Sequence, residues 1–222
     1  MPVVAIAPRL YVDSADTERV SRLLAAGVVH GVTTNPTILE RGGRKATEIP
    51  DLYARWEGED AKEIFFQTWG ASRDELLRNA ETIRALGDRV AVKVPATAEG
   101  FAAASALVAD GATVLITAVY SVAQALAAAS VGASYIAPYL GRLRDAGVDG
   151  DALIPQMQAV CAGSATNVLA ASLRSADDIV SLRLAGVPYF TAAPDVLDQV
   201  LQHSVSDSSA VEFDAAMGRI GA

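Results

Sequence analysis

Short apolar runs recur along the chain at 9–13, 31–35, 64–69, 90–95, 113–119, 134–140, 167–173 and 188–192, with segments of helical period between them. Most of the runs are unbroken rather than alternating, as in parallel strands that helices cover on one side and a core fills on the other. The intervening segments carry helix signals. Asp16 precedes an apolar series at Val20, Leu23, Leu24 and Val28, with Gly27 near its end. Ser72 opens a stretch through Leu76, Leu77 and Ile83 that stops at Gly87. Ser175 with Asp178 resembles a capping box before Ile179, Leu182 and Leu184, and Gly186 closes that helix. Eight βα repeats in 222 residues predict a single (β/α)8 TIM barrel domain over 1–222. An open doubly wound sheet usually has fewer strands and often a Gly-rich phosphate turn, and neither G-x-G-x-x-G nor a Walker A motif occurs here. Beyond the eighth repeat, 208–220 predicts an extra amphipathic helix. Its candidate apolar contacts are Val211, Phe213, Met217 and Ile220, against either the barrel end or a neighbouring subunit.

One stretch tests this reading. Residues 111–141 contain no charge, and 18 or more apolar residues in a row normally signal a membrane span. Gln124, Pro138, three glycines and several Ser and Thr interrupt it, so it is read as strand, helix and strand over 113–119, 121–131 and 133–140. No basic segment precedes a long apolar one near Met1, so no secretory signal is visible and the cytoplasm is the expected location. The formal net charge of −8 and pI near 4.7 provide no basic field for nucleic acid or an anionic membrane. The lone Cys161 and the separated His30 and His203 form neither a disulfide nor a metal-ligand cluster in sequence, so no metal or cofactor is expected.

In a barrel of this kind, chemistry gathers at the carboxyl ends of the strands. Polar residues stand at or near seven of those ends: Asp13, Asn35, Gln67, Lys93, Thr117, Tyr139 and Ser172. Lys93 is one of only three lysines, and it alone is embedded in an apolar strand, Val90-Ala91-Val92-Lys93-Val94-Pro95. Desolvation there favours the neutral amine, the nucleophile that attacks a ketone carbon in Schiff-base chemistry. The alternative is a lysine that passes the strand end to pair with Glu99 or Asp13. Tyr139 fits as a proton donor and acceptor, directly or through a water held by Gln67 and Thr117, and Asp13 as a base for a departing hydroxyl. Each has a structural alternative: Asp13 as the cap of the first helix, Gln67 and Thr117 as bonded core groups, Tyr139 as a barrel plug. Arg142 and Arg174 closely follow the sixth and seventh strands, beside Ser172, where barrels commonly hold phosphate.

At these residues the chain resembles a known family. The segments Tyr11-Val12-Asp13-Ser14-Ala15-Asp16, Gly31-Val32-Thr33-Thr34-Asn35-Pro36, Val92-Lys93-Val94-Pro95, Thr97-Ala98-Glu99-Gly100, Thr117-Ala118-Val119-Tyr120, Ala137-Pro138-Tyr139 and Ala170-Ala171-Ser172 are similar to the small transaldolase and fructose-6-phosphate aldolase family. The similarity spans roughly 9–205, and the Thr-Thr-Asn-Pro and Lys-Val-Pro motifs together are specific to it. It implies a metal-free class I mechanism with Lys93 forming the imine and Asp13 as acid/base. It also implies Thr33 and Asn35 as hydroxyl-binding groups, and Arg142, Ser172 and Arg174 as the phosphate site. Sugar phosphates, small ketones and aldehydes are the implied substrates, and a ring-shaped homo-oligomer, pentamer or decamer with exchanged C-terminal helices, the implied assembly.

Transaldolases of the family typically carry Glu and Phe where this chain has Gln67 and Tyr139, whereas the fructose-6-phosphate aldolases carry Gln and Tyr. Aldolase activity on dihydroxyacetone-type donors and aldehydes such as glyceraldehyde 3-phosphate is therefore expected ahead of transaldolase activity. A non-catalytic sugar-phosphate-binding barrel is the alternative outside enzymes. Three features depart from the pattern: Ser14 replaces the usual Thr, Leu140-Gly141-Arg142-Leu143 reads more like a transaldolase, and Trp69 adds a ring near Gln67. Trp69 either narrows the mouth or lies outside the barrel as packing, and strand alternation, which puts it on the side of Gln67, favours the narrowed mouth.

Overall fold

The computed structural model describes residues 6–221. Eight parallel strands close into a barrel in chain order: β1 (Arg9–Asp13), β2 (Gly31–Thr33), β3 (Glu63–Gln67), β4 (Val90–Pro95), β5 (Val114–Val119), β6 (Tyr135–Pro138), β7 (Asn167–Ala170) and β8 (Tyr189–Ala192). Closure is visible at β1, where Tyr11 stands opposite Gly31 on one side and Thr191 on the other. The outer layer comprises α1 (Thr17–Ala25), α2 (Pro36–Arg41), α3 (Ile49–Gly58), α4 (Arg73–Arg84), α5 (Ala98–Ala109), α6 (Val122–Ser130), α7 (Leu140–Asp145), α8 (Gly150–Val160), α9 (Ala176–Leu184) and α10 (Pro194–Leu201). A last helix, α11 (Ser204–Ile220), follows the barrel.

Period-2 alternation divides each strand between two cores. Val12, Val32, Ile64, Val92 and Ile116 pack against the helices, where Trp56 of α3 stacks on Phe66 with ring centroids 6.0 Å apart. Tyr11, Phe65, Ala91, Leu115 and Tyr135 fill the barrel interior. Each large side chain removed from water in this way stabilises the fold by roughly 1.5–3 kcal/mol. At the amino-terminal end, Glu63 accepts hydrogen bonds from the Tyr11 and Tyr135 hydroxyls at 2.5 and 2.7 Å, with the Arg9 guanidinium 3.7 Å away. This polar plug caps the floor of the interior, and burial with the nearby Glu63 charge raises both phenol pKa values.

The caps formed as the sequence predicted. Asp16 accepts from the Glu18 and Arg19 amides to start α1, Ser72 starts α4, and Ser175 with Asp178 forms a capping box on α9. Strand ends moved inward where a polar residue starts the next helix. Asn35 caps α2, so β2 stops at Thr33, and Tyr139 occupies the cap position of α7, so β6 stops at Pro138. The uncharged stretch is β5, α6 and β6, and no helix among the described residues is long and apolar enough to cross a membrane. The terminal helix begins at Ser204 rather than at position 208, because α10 ends at Leu201 and His203 caps the next turn. None of its residues is buried in this chain: Val211 and Phe213 are 70% and 69% exposed, so the expected apolar contacts are absent within the subunit.

Candidate active site

Lys93 follows Ala91 on the inward face of β4 and is 4% exposed. Its Nζ donates to the Thr34 carbonyl at 2.7 Å, just beyond β2. It makes no salt bridge to Glu99, whose carboxylate accepts from the Arg73 amide at 2.8 Å, so the lysine does not reach past the strand end. Burial pushes the amine below the ordinary lysine range, with Asp13 opposing the shift. Asp13 shows the mirror effect: desolvation raises its carboxyl pKa, opposed by Lys93 and by a hydrogen bond from Thr33. Because Asp16 caps α1, Asp13 is left to face the interior.

A relay of hydroxyls supports that carboxylate. Thr33 Oγ1 donates to Asp13 Oδ1 at 2.6 Å and lies 2.6 Å from Thr191 Oγ1. With its single proton committed to Asp13, Thr33 accepts from Thr191, which makes β8 a contributor to the site. Thr191 was missed in the sequence because Ala192 ends its run; counting two residues on from the inward Tyr189 would have found it.

Across the mouth, the Tyr139 hydroxyl lies 2.7 Å from Thr117 Oγ1, and both residues are buried. Desolvation raises the phenol pKa, while Thr117 and Arg142 oppose the shift. The Arg142 guanidinium carbon stands 5.0 Å from the Tyr139 ring centroid, a cation–π contact that fixes both groups. Ala118, between Thr117 and Val119, has φ +58°, and the β5–β6 register shifts at that point. The bulge re-aims the end of β5 beside Tyr139. Ser172 has the same left-handed backbone, φ +58°, and its carbonyl accepts from the Gly141 amide at 2.9 Å. A Cβ on Gly141 would lie 2.8 Å from Arg174 Nε and from both oxygens of Ser172, so only glycine lets these groups converge. Arg174 reaches Asp145 at 2.5 Å.

One cavity of about 340 Å³ at this end is lined by Asp13, Asn35, Lys93, Tyr139, Arg142, Ser172 and Arg174, seven of the ten residues singled out in the sequence. Thr33 and Thr117 stand behind it as partners of Asp13 and Tyr139. Gln67 lies opposite Lys93 in the β3–β4 register but does not line the cavity. Trp69 does not line it either: β3 ends at Gln67, so alternation no longer governs the ring, which is 46% exposed. The expected narrowing of the mouth by Trp69 is thereby corrected. Thr37, Ile38 and Arg41 of α2 and Asp145 of α7 also line the cavity. They went unnoticed because sequence reasoning did not foresee either short helix. A larger cavity of about 720 Å³ lies beside the amino-terminal ends of β1 and β8, lined by Leu24, Val28, Ile179 and His30, and contains none of the candidate residues. Chemistry, rather than volume, identifies the site.

A closed (β/α)8 barrel with ionisable groups gathered at the carboxyl ends of its strands is an enzyme architecture. The profile of the Transaldolase/Fructose-6-phosphate aldolase family matches residues 10–220. The chain belongs to this family and is an enzyme of the transaldolase/aldolase type. Proteins named "Probable transaldolase" from Hyphomonas neptunium and Maricaulis maris are each 35% identical over 216 residues, covering 96% of this chain and 98% of the relative. Among solved structures, a dihydrodipicolinate synthase family protein from Coccidioides immitis aligns with TM-score 0.66 at 15% identity, covering 98% of this chain and 77% of that one. Thiamine phosphate pyrophosphorylase from Pyrococcus furiosus aligns with TM-score 0.60 at 18% identity, covering 83% and 85%. These two likenesses concern the fold alone.

Proposed function

We propose that the protein is a class I aldolase that cleaves or forms fructose 6-phosphate-like ketoses from a dihydroxyacetone-type donor and an aldehyde such as glyceraldehyde 3-phosphate. The observation that carries this reading is an almost fully buried Lys93 amine, held below its ordinary pKa, in the same cavity as Tyr139, whose hydroxyl pairs with Thr117 behind it. Lys93 adds to the ketone carbon, and loss of water gives an iminium. Asp13 removes the proton of the hydroxyl beyond the scissile bond, that carbon–carbon bond breaks, and its electron pair flows into the iminium to give an enamine. The aldehyde leaves. Tyr139, with Thr117 and a water near Gln67, protonates the enamine and assists hydrolysis. Asn35 and Thr33 serve the substrate hydroxyls, the latter through Asp13. Arg142, Ser172 and Arg174 hold the phosphate through guanidinium forks and a hydroxyl. The iminium is the electron sink, so the reaction needs no cofactor.

Donor ketone plus borohydride is expected to add mass at Lys93 in wild type and none in Lys93→Met; labelling at another residue refutes the assignment. Transaldolase activity is the second reading, favoured by the names of the relatives and by the Leu140-Gly141-Arg142-Leu143 segment. Free dihydroxyacetone released from fructose 6-phosphate without an acceptor supports aldolase. Product formed only when erythrose 4-phosphate is present supports transaldolase. A homo-oligomeric ring follows from the same reading, with the uncovered apolar side chains of α11 as the contact, and native mass spectrometry measures it. Sugar phosphates do not cross membranes freely, which puts such an enzyme in the cytoplasm.

A further inference from the structure

We propose that Arg41 is a second anion contact of the cavity, which makes the enzyme select donors or ketoses that carry a negative group on the β2 side, opposite Arg142 and Ser172. The inference rests on the aldolase reading and extends it to a substrate class. In the closed eight-strand ring, β2 and β6 are four strands apart and so face each other across the mouth. Arg142 follows β6. Arg41 is the last residue of α2, which follows β2, and it stands one helical turn from Thr37, so the two share a face. Both line the cavity, together with Ile38.

The charges around Arg41 make its state informative. This is an acidic protein, and arginines such as Arg19, Arg84 and Arg144 are each held by two carboxylates. Within the cavity, Arg174 is matched by Asp145 at 2.5 Å. Arg41 has neither a salt bridge nor a side-chain hydrogen bond among the described residues, and Arg142 has only the Tyr139 ring. Two uncompensated guanidiniums therefore stand on opposite walls of one 340 Å³ cavity. One of them serves the phosphate of the aldehyde half. The other shares the cavity lining with Asn35 on the opposite wall, where a ketose held by that phosphate would present its far end, the donor half, so it would meet an anion on the donor itself. A guanidinium facing a phosphate makes the strong, forked, charge-assisted hydrogen bonds that reward such a match.

The test compares dihydroxyacetone with dihydroxyacetone phosphate in borohydride trapping of wild type and Arg41→Gln. The ratio of the two half-saturating donor concentrations is expected to shift by about tenfold against the phosphorylated donor in the variant, with partial recovery in Arg41→Lys, which keeps the charge but loses the fork. An unchanged ratio, or equal weakening for both donors, overturns the proposal. Trapping of neither donor by wild type would refute the Schiff-base reading instead. In that case, stabilisation of thermal unfolding by dihydroxyacetone phosphate still measures the anion contact, and equal stabilisation of wild type and Arg41→Gln overturns it.

Discussion

Replacing Tyr139 with Phe deletes one oxygen from the site and leaves the ring under Arg142 in place. The lost hydroxyl is 8% exposed as a residue and 2.7 Å from Thr117, so two effects follow. If Tyr139 moves the proton to and from the enamine and imine, release of dihydroxyacetone should fall by about 10²–10⁴-fold. At 1.36 kcal/mol per tenfold, that is about 3–5 kcal/mol of barrier. Thr117, 1% exposed, also loses its partner, at a cost of about 1–3 kcal/mol in stability. Thr117→Val with Tyr139→Phe removes both polar groups, so the double variant should lose less stability than the sum of the singles. The assay couples ketone release from fructose 6-phosphate to borohydride trapping and to a denaturant midpoint. Trapping at Lys93 should survive, and transfer to an added aldose should suffer less than release, because transfer does not require protonation of the enamine. Release within about threefold of wild type, far short of the general acid–base range, would refute the role given to Tyr139.

Burial lowers the Lys93 pKa and the Asp13 charge raises it in part, so kcat/KM should climb with pH through an acid limb set by Lys93 losing its proton. Asp13→Asn, besides slowing cleavage, should move that limb of the trapping rate to lower pH; a move to higher pH would contradict the coupling. The unfolded chain holds the Lys93 proton up to about its ordinary 10.5 and the folded chain releases it earlier, so this group adds to stability as pH rises through that window. Lys93→Met should flatten this part of the profile measured by urea titration. Gly141→Ala drives a Cβ to 2.8 Å from Arg174 and Ser172 and should cost about 1–3 kcal/mol, with weaker inhibition by inorganic phosphate. Ala118→Gly relieves a left-handed alanine at φ +58° and should raise stability by about 0.5–1 kcal/mol, read as a higher denaturant midpoint.

The barrel was legible because each level of the sequence pointed the same way. Unbroken strands such as Val90–Pro95 require cover on both faces, and Asp16, Ser72 and Ser175 mark helix starts by a local mechanism, an oxygen accepting from backbone amides within three residues. Lys93 was equally legible, since one charge in an apolar strand is a local anomaly. Trp69 was misread because alternation was carried past the true end of β3. Thr191 and Asp145 escaped notice because their significance depends on neighbours 158 or 29 residues away, and Arg41 because it depends on a cavity wall rather than on adjacent sequence.

Residue order by itself determined which segments become strands and helices, which strand face turns inward, and which side chains stand at the strand ends, because period and capping act over a few residues. Closure of the ring decided the rest. Only when β8 pairs with β1 do Thr191 and Thr33 meet beneath Asp13, and only the pairing of β5 with β6 sets Thr117 against Tyr139. The shift of the Lys93 amine likewise belongs to the assembled barrel, since desolvation comes from the walls that surround it and not from its own strand.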